Sequence, residues 1–325
     1  IVGPWSGVSA HGNDLPLPRD YDQLSYLSPT RRMEVVMADL THRFRVSREL
    51  DHVALNLDGT AICKIKAPDQ EVLRKQLVHL RNYADLRMDR IGEINIQATD
   101  IISFFGAQHH LNGSRRVRTL ELLFMTQSIA IHLEMIFKHF CLRPRPIDLA
   151  PQVQPIIQTP DHSTFPSGHA TEAYAVATIL NRIANSQSAL KGLEDKALPF
   201  RLAHRIAINR TIAGVHFPVD SASGAMLGCA IGEALYALAS GENVPIVFDY
   251  NVNAGFSLDF SNGVYAATGR VTDNGDFTQE ILSQFAGAKI ADADAGAAVP
   301  KTAEIFQTFW EFARKEFEPV PSEGS

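Results

Sequence analysis

Apolar residues recur along this chain at three- and four-residue steps, the spacing that places them on one face of a helix. The clearest run begins at Asp69, a helix-capping residue type. Leu73, Leu77, Leu80, Ala84, Met88 and Ile91 follow with charged residues between them, so the stripe reads as core packing. Ser28-Pro29 predicts an earlier start, with a cap residue followed by proline at the first helical position and a helix running to about Phe44. Ser47 to Leu57 reads as a further short helix. Ile94 to Leu111 continues the helical rhythm after a break at Gly92. Asn112-Gly113-Ser114 ends one helix and caps the next, a Leu/Met/Ile-rich segment over about 115 to 140 with Lys138 near its end.

Six prolines, Pro144, Pro146, Pro151, Pro155, Pro160 and Pro166, then enforce a stiff extended connector over 143–166. Helices are predicted again from Ala170 to about Ala184, from Pro199 to about Ile212, and over 221–239 with Asp220 as cap. After Gly241 short apolar runs from Val244 to Ala267 are broken by Gly and Asn and suggest a small hairpin. A helix over 278–286 and a last amphipathic helix, Pro300 to Phe317, follow. Strands and helices do not alternate, so no parallel sheet is expected and the fold class is all-α. The predicted organisation is an extended arm over 1–27, a helical catalytic body over 28–240, and an irregular region with a C-terminal helix over 241–325 packed on the same body.

Composition narrows the picture only a little. A content of 45% apolar and 20% charged residues suits a chain that buries a real core. The net charge of -6 argues against a nucleic-acid binder, so any cationic site must be local. Cys63, Cys141 and Cys229 are far apart, match no zinc spacing and read as buried thiols. No membrane span is expected: the nearest stretch, Ser221 to Ala239, contains Glu233 and reads as a buried bundle helix. The expected location is therefore soluble, exported or periplasmic if an N-terminal signal has been removed.

The candidate chemistry gathers around Pro166-Ser167-Gly168-His169. Lys138 and Arg145 lie upstream, and Arg210, His216 and Asp220 lie downstream. The two arginines offer planar forks that match the oxygens of a tetrahedral anion, and Lys138 adds a point charge. Ser167 can donate its hydroxyl, and Gly168 lets backbone approach closely enough to donate its N–H. Asp220, four residues after His216, can fix that imidazole in one tautomer, leaving the other ring nitrogen for a phosphoryl group or a metal. His169 is then free to act as general acid or base.

Lys138 with six residues before Arg145-Pro146, then Pro166-Ser167-Gly168-His169, then Arg210, five residues, His216, three residues and Asp220, resembles the three-part signature of the type 2 phosphatidic-acid phosphatase (PAP2) and vanadium-dependent haloperoxidase superfamily. One departure is Asn209, where that signature usually has Ser. The resemblance implies a helical bundle in which Lys138, Arg145, Ser167, Gly168 and Arg210 hold phosphate or vanadate. It implies that His216 is either the phosphohistidine nucleophile or the axial vanadium ligand, with Asp220 orienting it and His169 as acid/base.

Vanadate and phosphate share geometry and charge, so the surroundings must separate the two activities. The length of a chain read as soluble, Ala170-Thr171 after the histidine, and His162 seven residues before His169 resemble the haloperoxidase branch. On that resemblance the expected activity is a vanadate-dependent haloperoxidase. It would oxidise bromide or iodide with hydrogen peroxide to a hypohalous species that halogenates an organic acceptor. Lys138 would polarise the peroxide, and His162 would move protons. The alternative is an acid phosphatase that hydrolyses phosphomonoesters through a phosphohistidine, a reading favoured by the run from Gly214 to Asp220. The tail over 242–325 is a candidate for covering the pocket or for self-association into a homo-oligomer.

Overall fold

Proline and glycine cut the apolar rhythm into helices, and one pair of those helices forms the centre. A computed structural model of the chain describes residues 23–244, 248–251 and 302–318. In chain order the elements begin with α1 (Gln23–Tyr26), α2 (Pro29–Thr41), β1 (Phe44–Arg48), β2 (Val53–Leu57) and β3 (Thr60–Lys66). They continue with α3 (Gln70–Tyr83), α4 (Arg87–Gln97), α5 (Ile102–Gly106), α6 (Val117–Cys141) and α7 (Pro146–Leu149). The series closes with α8 (Gly168–Asn185), α9 (Ala189–Glu194), α10 (Leu198–Ile212), α11 (Pro218–Ser240), β4 (Phe248–Asn251) and α12 (Glu304–Lys315).

Helix α8 packs most extensively on α11, and α6 and α10 flank α8. The approach of α8 to α11 is close because Gly224, Gly228 and Gly232 line one face of α11 at four-residue steps. A Cβ on Gly228 would stand 2.9 Å from Ala175 N, and one on Gly224 would stand 2.5 Å from the carbonyl oxygen of Ser167. Side chains there would push the two helices, and the catalytic turn between them, apart. Glu233, the one acidic residue past the first turn of α11, is buried. It pairs with Arg182 of α8 and accepts the Ala189 N–H at 2.6 Å, so its charge is compensated.

The segment read as a helix over 47–57 is instead strand. β1 pairs antiparallel with β2, β2 antiparallel with β3, and β3 parallel with β4. Val53, Leu55 and Leu57 alternate with Ala54 and Asn56. Asp58 and Gly59 turn the chain with φ of 48° and 84°, the left-handed pair of a two-residue hairpin. The sheet is small beside the helices, and the mostly helical fold class stands. Gly92 does not break α4, which runs through it; the break lies at Ala84–Leu86 instead. Asp220 sits three residues into α11, where it accepts the Phe217 N–H. Of the expected extended arm over 1–27, the described end is helical, with Gln23–Tyr26 forming α1; its residues 1–22, the hairpin beyond β4 and the helix over 278–286 lie outside the described residues.

The expectation of no membrane span needs correction. Two stretches of the described residues, Val117–Leu149 and Pro218–Ser240, are long and apolar enough to cross a membrane, each with a mean hydropathy of 1.4. Of the 18-residue apolar core of the second stretch 94% is buried within the bundle, against 50% for the first. A single internal Glu had masked the apolar length of α11, and the polar residues scattered along α6 had masked that of the first stretch.

Candidate active site

Four segments converge at one end of the bundle: the C-terminal turn of α6, the connector over 143–166, the first turn of α8, and the α10–α11 junction. Lys138 extends from α6, is 1% exposed, and donates to the carbonyl oxygens of Pro166 at 2.5 Å and Ser163 at 3.2 Å. Arg145 stands just before α7. Its Nε donates to the His162 carbonyl at 3.0 Å and its Nη1 to the Val215 carbonyl at 2.8 Å. The same Nη1 lies 3.2 Å from His216 Nε2.

That contact fixes the His216 tautomer. A guanidinium only donates, so Nε2 must carry the lone pair, and Nδ1 must carry the proton it gives to Asp220 Oδ2 at 3.0 Å. Oδ2 also accepts from Thr164 Oγ1 at 2.5 Å and from the Phe217 N–H at 2.8 Å. Burial, then Arg145 and Lys138, hold the His216 pKa well below its ordinary value, so the ring is neutral. Burial raises Asp220 to about 6 against the opposing pull of its donors and the nearby cations.

His169 Nε2 lies 2.8 Å from the Gln97 carbonyl and must donate to it, which leaves Nδ1 as the atom able to take or give a proton. Burial and then Arg210 lower the His169 pKa to about 3 in the resting site. Arg210 is 1% exposed and donates Nη2 to the Ile94 carbonyl at 3.2 Å and to Gln97 Oε1 at 3.3 Å. Its Nε is buried without a partner, as is Ser167 Oγ. Donors left orphaned in a cationic pocket suit an anion that accepts from them. Ser167 is fixed through its own N–H, which donates to the Asp220 carbonyl at 2.9 Å. His162 also belongs to this end: its Nδ1 is 3.2 Å from Arg145 Nη2.

All nine residues singled out from the sequence therefore share one region. Two partners had no sequence signal. Thr164 shares Asp220 with His216. Gln97 on α4 holds His169 through its carbonyl and, through its side chain, holds both Arg210 and Asn209, the latter at 2.9 Å. Asn209, the departure from the expected Ser, is thus an anchor between α10 and α4. His109, His110 and His132 take no part in these contacts.

Residues 119–243 match the PAP2 superfamily. Two curated relatives, both decaprenylphosphoryl-5-phosphoribose phosphatase from Mycobacterium tuberculosis (strains CDC 1551 / Oshkosh and ATCC 25618 / H37Rv), are 31% identical over 113 residues. That alignment covers 35% of this chain and 57% of the relatives, so the chain spans a little over half their length. A solved transmembrane PAP2 type phosphatidylglycerolphosphate phosphatase from Bacillus subtilis is 21% identical, covering 50% of this chain and 84% of that one with a TM-score of 0.38.

The two curated relatives are phosphatases by name, and they overturn the expected haloperoxidase. The oxidoreductase reading, with peroxide, halide and an organic acceptor as substrates, gives way to the phosphatase alternative. The features used to choose between the branches were not the anion-holding donors themselves, and those donors are common to both. The soluble, exported or periplasmic location is withdrawn as well, given the two apolar stretches above and curated relatives named for a decaprenylphosphoryl compound. The matched segment carries all the signature residues, so residues 119–243 form a PAP2 superfamily domain.

Proposed function

We propose that the chain is a phosphomonoester hydrolase working through a phosphohistidine at His216 Nε2. One observation carries this reading: a neutral imidazole whose Nδ1–H is held by Asp220, with its Nε2 lone pair turned into a socket lined by Lys138, Arg145 and Arg210. The three cations neutralise the phosphoryl oxygens, and Ser167 Oγ and the Gly168 N–H add donors. Nε2 attacks phosphorus, the P–O ester bond breaks, and the leaving oxygen takes a proton from His169 Nδ1. Water then attacks the phosphohistidine, gives its proton to His169, and orthophosphate leaves. His169 is neutral in the resting site, so the dianion must raise its pKa on binding for it to serve as acid.

The substrate we favour is a lipid-linked phosphomonoester. An apolar face of Phe124, Ile131 and Met135, exposed at steps of seven and four residues along α6 among the described residues, leads to the exposed C-cap Leu142, which Arg143 and Arg145 follow in the chain. It can carry an apolar chain while the headgroup occupies the cage. The decaprenylphosphoryl compound in the curated relatives' name points the same way. Vanadate fits the same donors and on this reading acts as a phosphate mimic that inhibits hydrolysis. The test is hydrolysis of a long-chain isoprenyl monophosphate and of a short water-soluble monophosphate, by wild type and His216→Ala. The reading expects vanadate-sensitive turnover, faster on the long chain and abolished by the substitution. Turnover that survives His216→Ala overturns it.

A further inference from the structure

Gly168 opens α8, and the place a Cβ would take there is already filled by the Glu134 carboxyl, whose Cδ is 3.0 Å from that point. Glu134 lies one turn before Lys138 on α6, so both side chains leave the same helix face toward the cage. It is 4% exposed, and its Oε2 is buried with no hydrogen-bond partner. Ser167 Oγ, the neighbouring orphan, is equally buried. Two unsatisfied oxygens thus flank the glycine whose N–H is one of the free donors in the first turn of α8. Buried polar atoms without partners are rare in folded proteins, and two at one anion cage point to the same missing acceptor.

The carboxyl next to Glu134 is Glu172 of α8, also buried. Two interacting buried carboxyls do not both ionise readily. Glu172 accepts from Gln127 Nε2 at 2.7 Å and so has a donor to support its charge. No such donor reaches Glu134 Oε2, and the proton belongs there. Burial first and Glu172 second raise the Glu134 pKa well above the carboxylate range, against the opposing pull of Lys138 and Arg145. The charges that act on it are Glu172 from α8, Lys138 from its own helix and Arg145 from the connector.

We propose that Glu134 is a member of the anion cage, a neutral carboxylic acid that donates a hydrogen bond from Oε2 to a phosphate oxygen beside the Ser167 hydroxyl. This rests on the phosphatase reading for the identity of the ligand. It differs from a counter-ion role toward Lys138, which would need the ionised form. An ionised Glu134 would turn an unpartnered carboxylate oxygen toward a bound anion.

Glutamine keeps a neutral donor at that position, and alanine removes it. Binding of orthophosphate and of orthovanadate to the full chain is measured by calorimetry for wild type, Glu134→Gln and Glu134→Ala. We expect Glu134→Gln to stay within about threefold of wild type and Glu134→Ala to bind about tenfold or more weakly. Wild-type affinity in Glu134→Ala, or equal weakening in both variants, overturns the proposal. If Glu134→Ala does not fold, the pH profile of Glu134→Gln decides. An alkaline limb at the wild-type position upholds a neutral Glu134, and a limb moved to lower pH shows that a carboxylate supporting Lys138 has been lost. Failure of the wild type to hydrolyse any monoester, with the binding pattern as expected, would sink the phosphatase reading and leave the donor role standing.

Discussion

Replacing Asp220 with Asn tests the mechanism at its best-defined contact. Oδ2 of Asp220 receives His216 Nδ1–H, Thr164 Oγ1–H and the Phe217 N–H, whereas Oδ1 is buried without a partner. Asparagine must place its NH2 at one of these positions. At Oδ2 it would face three donors, so its oxygen goes there and the NH2 is left without an acceptor. The His216 tautomer survives, but the negative charge beside the developing N-phosphoimidazolium is lost. Two unit charges about 4 Å apart at an effective dielectric of about 20 interact by about 4 kcal/mol. Exchanging a charge-assisted hydrogen bond for a neutral one costs about 1–2 kcal/mol. These limits correspond to a fall in kcat between about tenfold and about a thousandfold.

The assay is kcat and KM across pH on one phosphomonoester, with orthophosphate affinity measured alongside. The charge matters most after phosphorus is attacked, so kcat should fall while phosphate affinity stays within about threefold. Burial sets Asp220 near 6, its folded value lying above the usual carboxylate one. Wild-type kcat/KM should therefore decline as pH drops through about 6 and Asp220 takes a proton, and Asp220→Asn should lack that limb. An unchanged kcat, or the same acid limb in the variant, would refute the role given to Asp220.

The alkaline side belongs to Lys138, which burial lowers to about 8, so kcat/KM and phosphate affinity should both fall as pH rises through that value; a flat profile to pH 9 or beyond would remove Lys138 from the cage. On the packing side, Gly228→Ala puts a methyl 2.9 Å from both Ala175 N and Tyr174 Cβ, and should destabilise the fold by about 1–3 kcal/mol, read as a lower urea midpoint.

The cage was legible because its residues carry their chemistry in their type and spacing. A Ser-Gly-His turn after a run of prolines, and a His followed four positions later by Asp, dictate what they can do wherever the chain carries them. Thr164, Gln97 and Glu134 were not legible, because their roles arise only when distant helices meet. Gln97 is 72 residues from His169, and Glu134 matters because α6 crosses the start of α8 at a glycine. The hairpin at Asp58-Gly59 did leave a signal, the left-handed turn pair, which the apolar run around it obscured. The choice between peroxide and phosphate chemistry was not written in the cage at all, since both use the same donors. His162 pointed to the wrong branch because its geometry, a ring nitrogen beside Arg145, serves the cage in either chemistry.

The central claim is a covalent bond from phosphorus to His216 Nε2. Rapid acid-free quenching of the wild type during turnover, followed by peptide mass spectrometry under alkaline conditions, tests it most directly. A phosphohistidine at His216 requires an acid-labile phosphate on the peptide containing that residue, accumulating within one turnover and absent from His216→Ala. Steady turnover with no phosphorylated peptide, or with phosphate on any other residue, would contradict it.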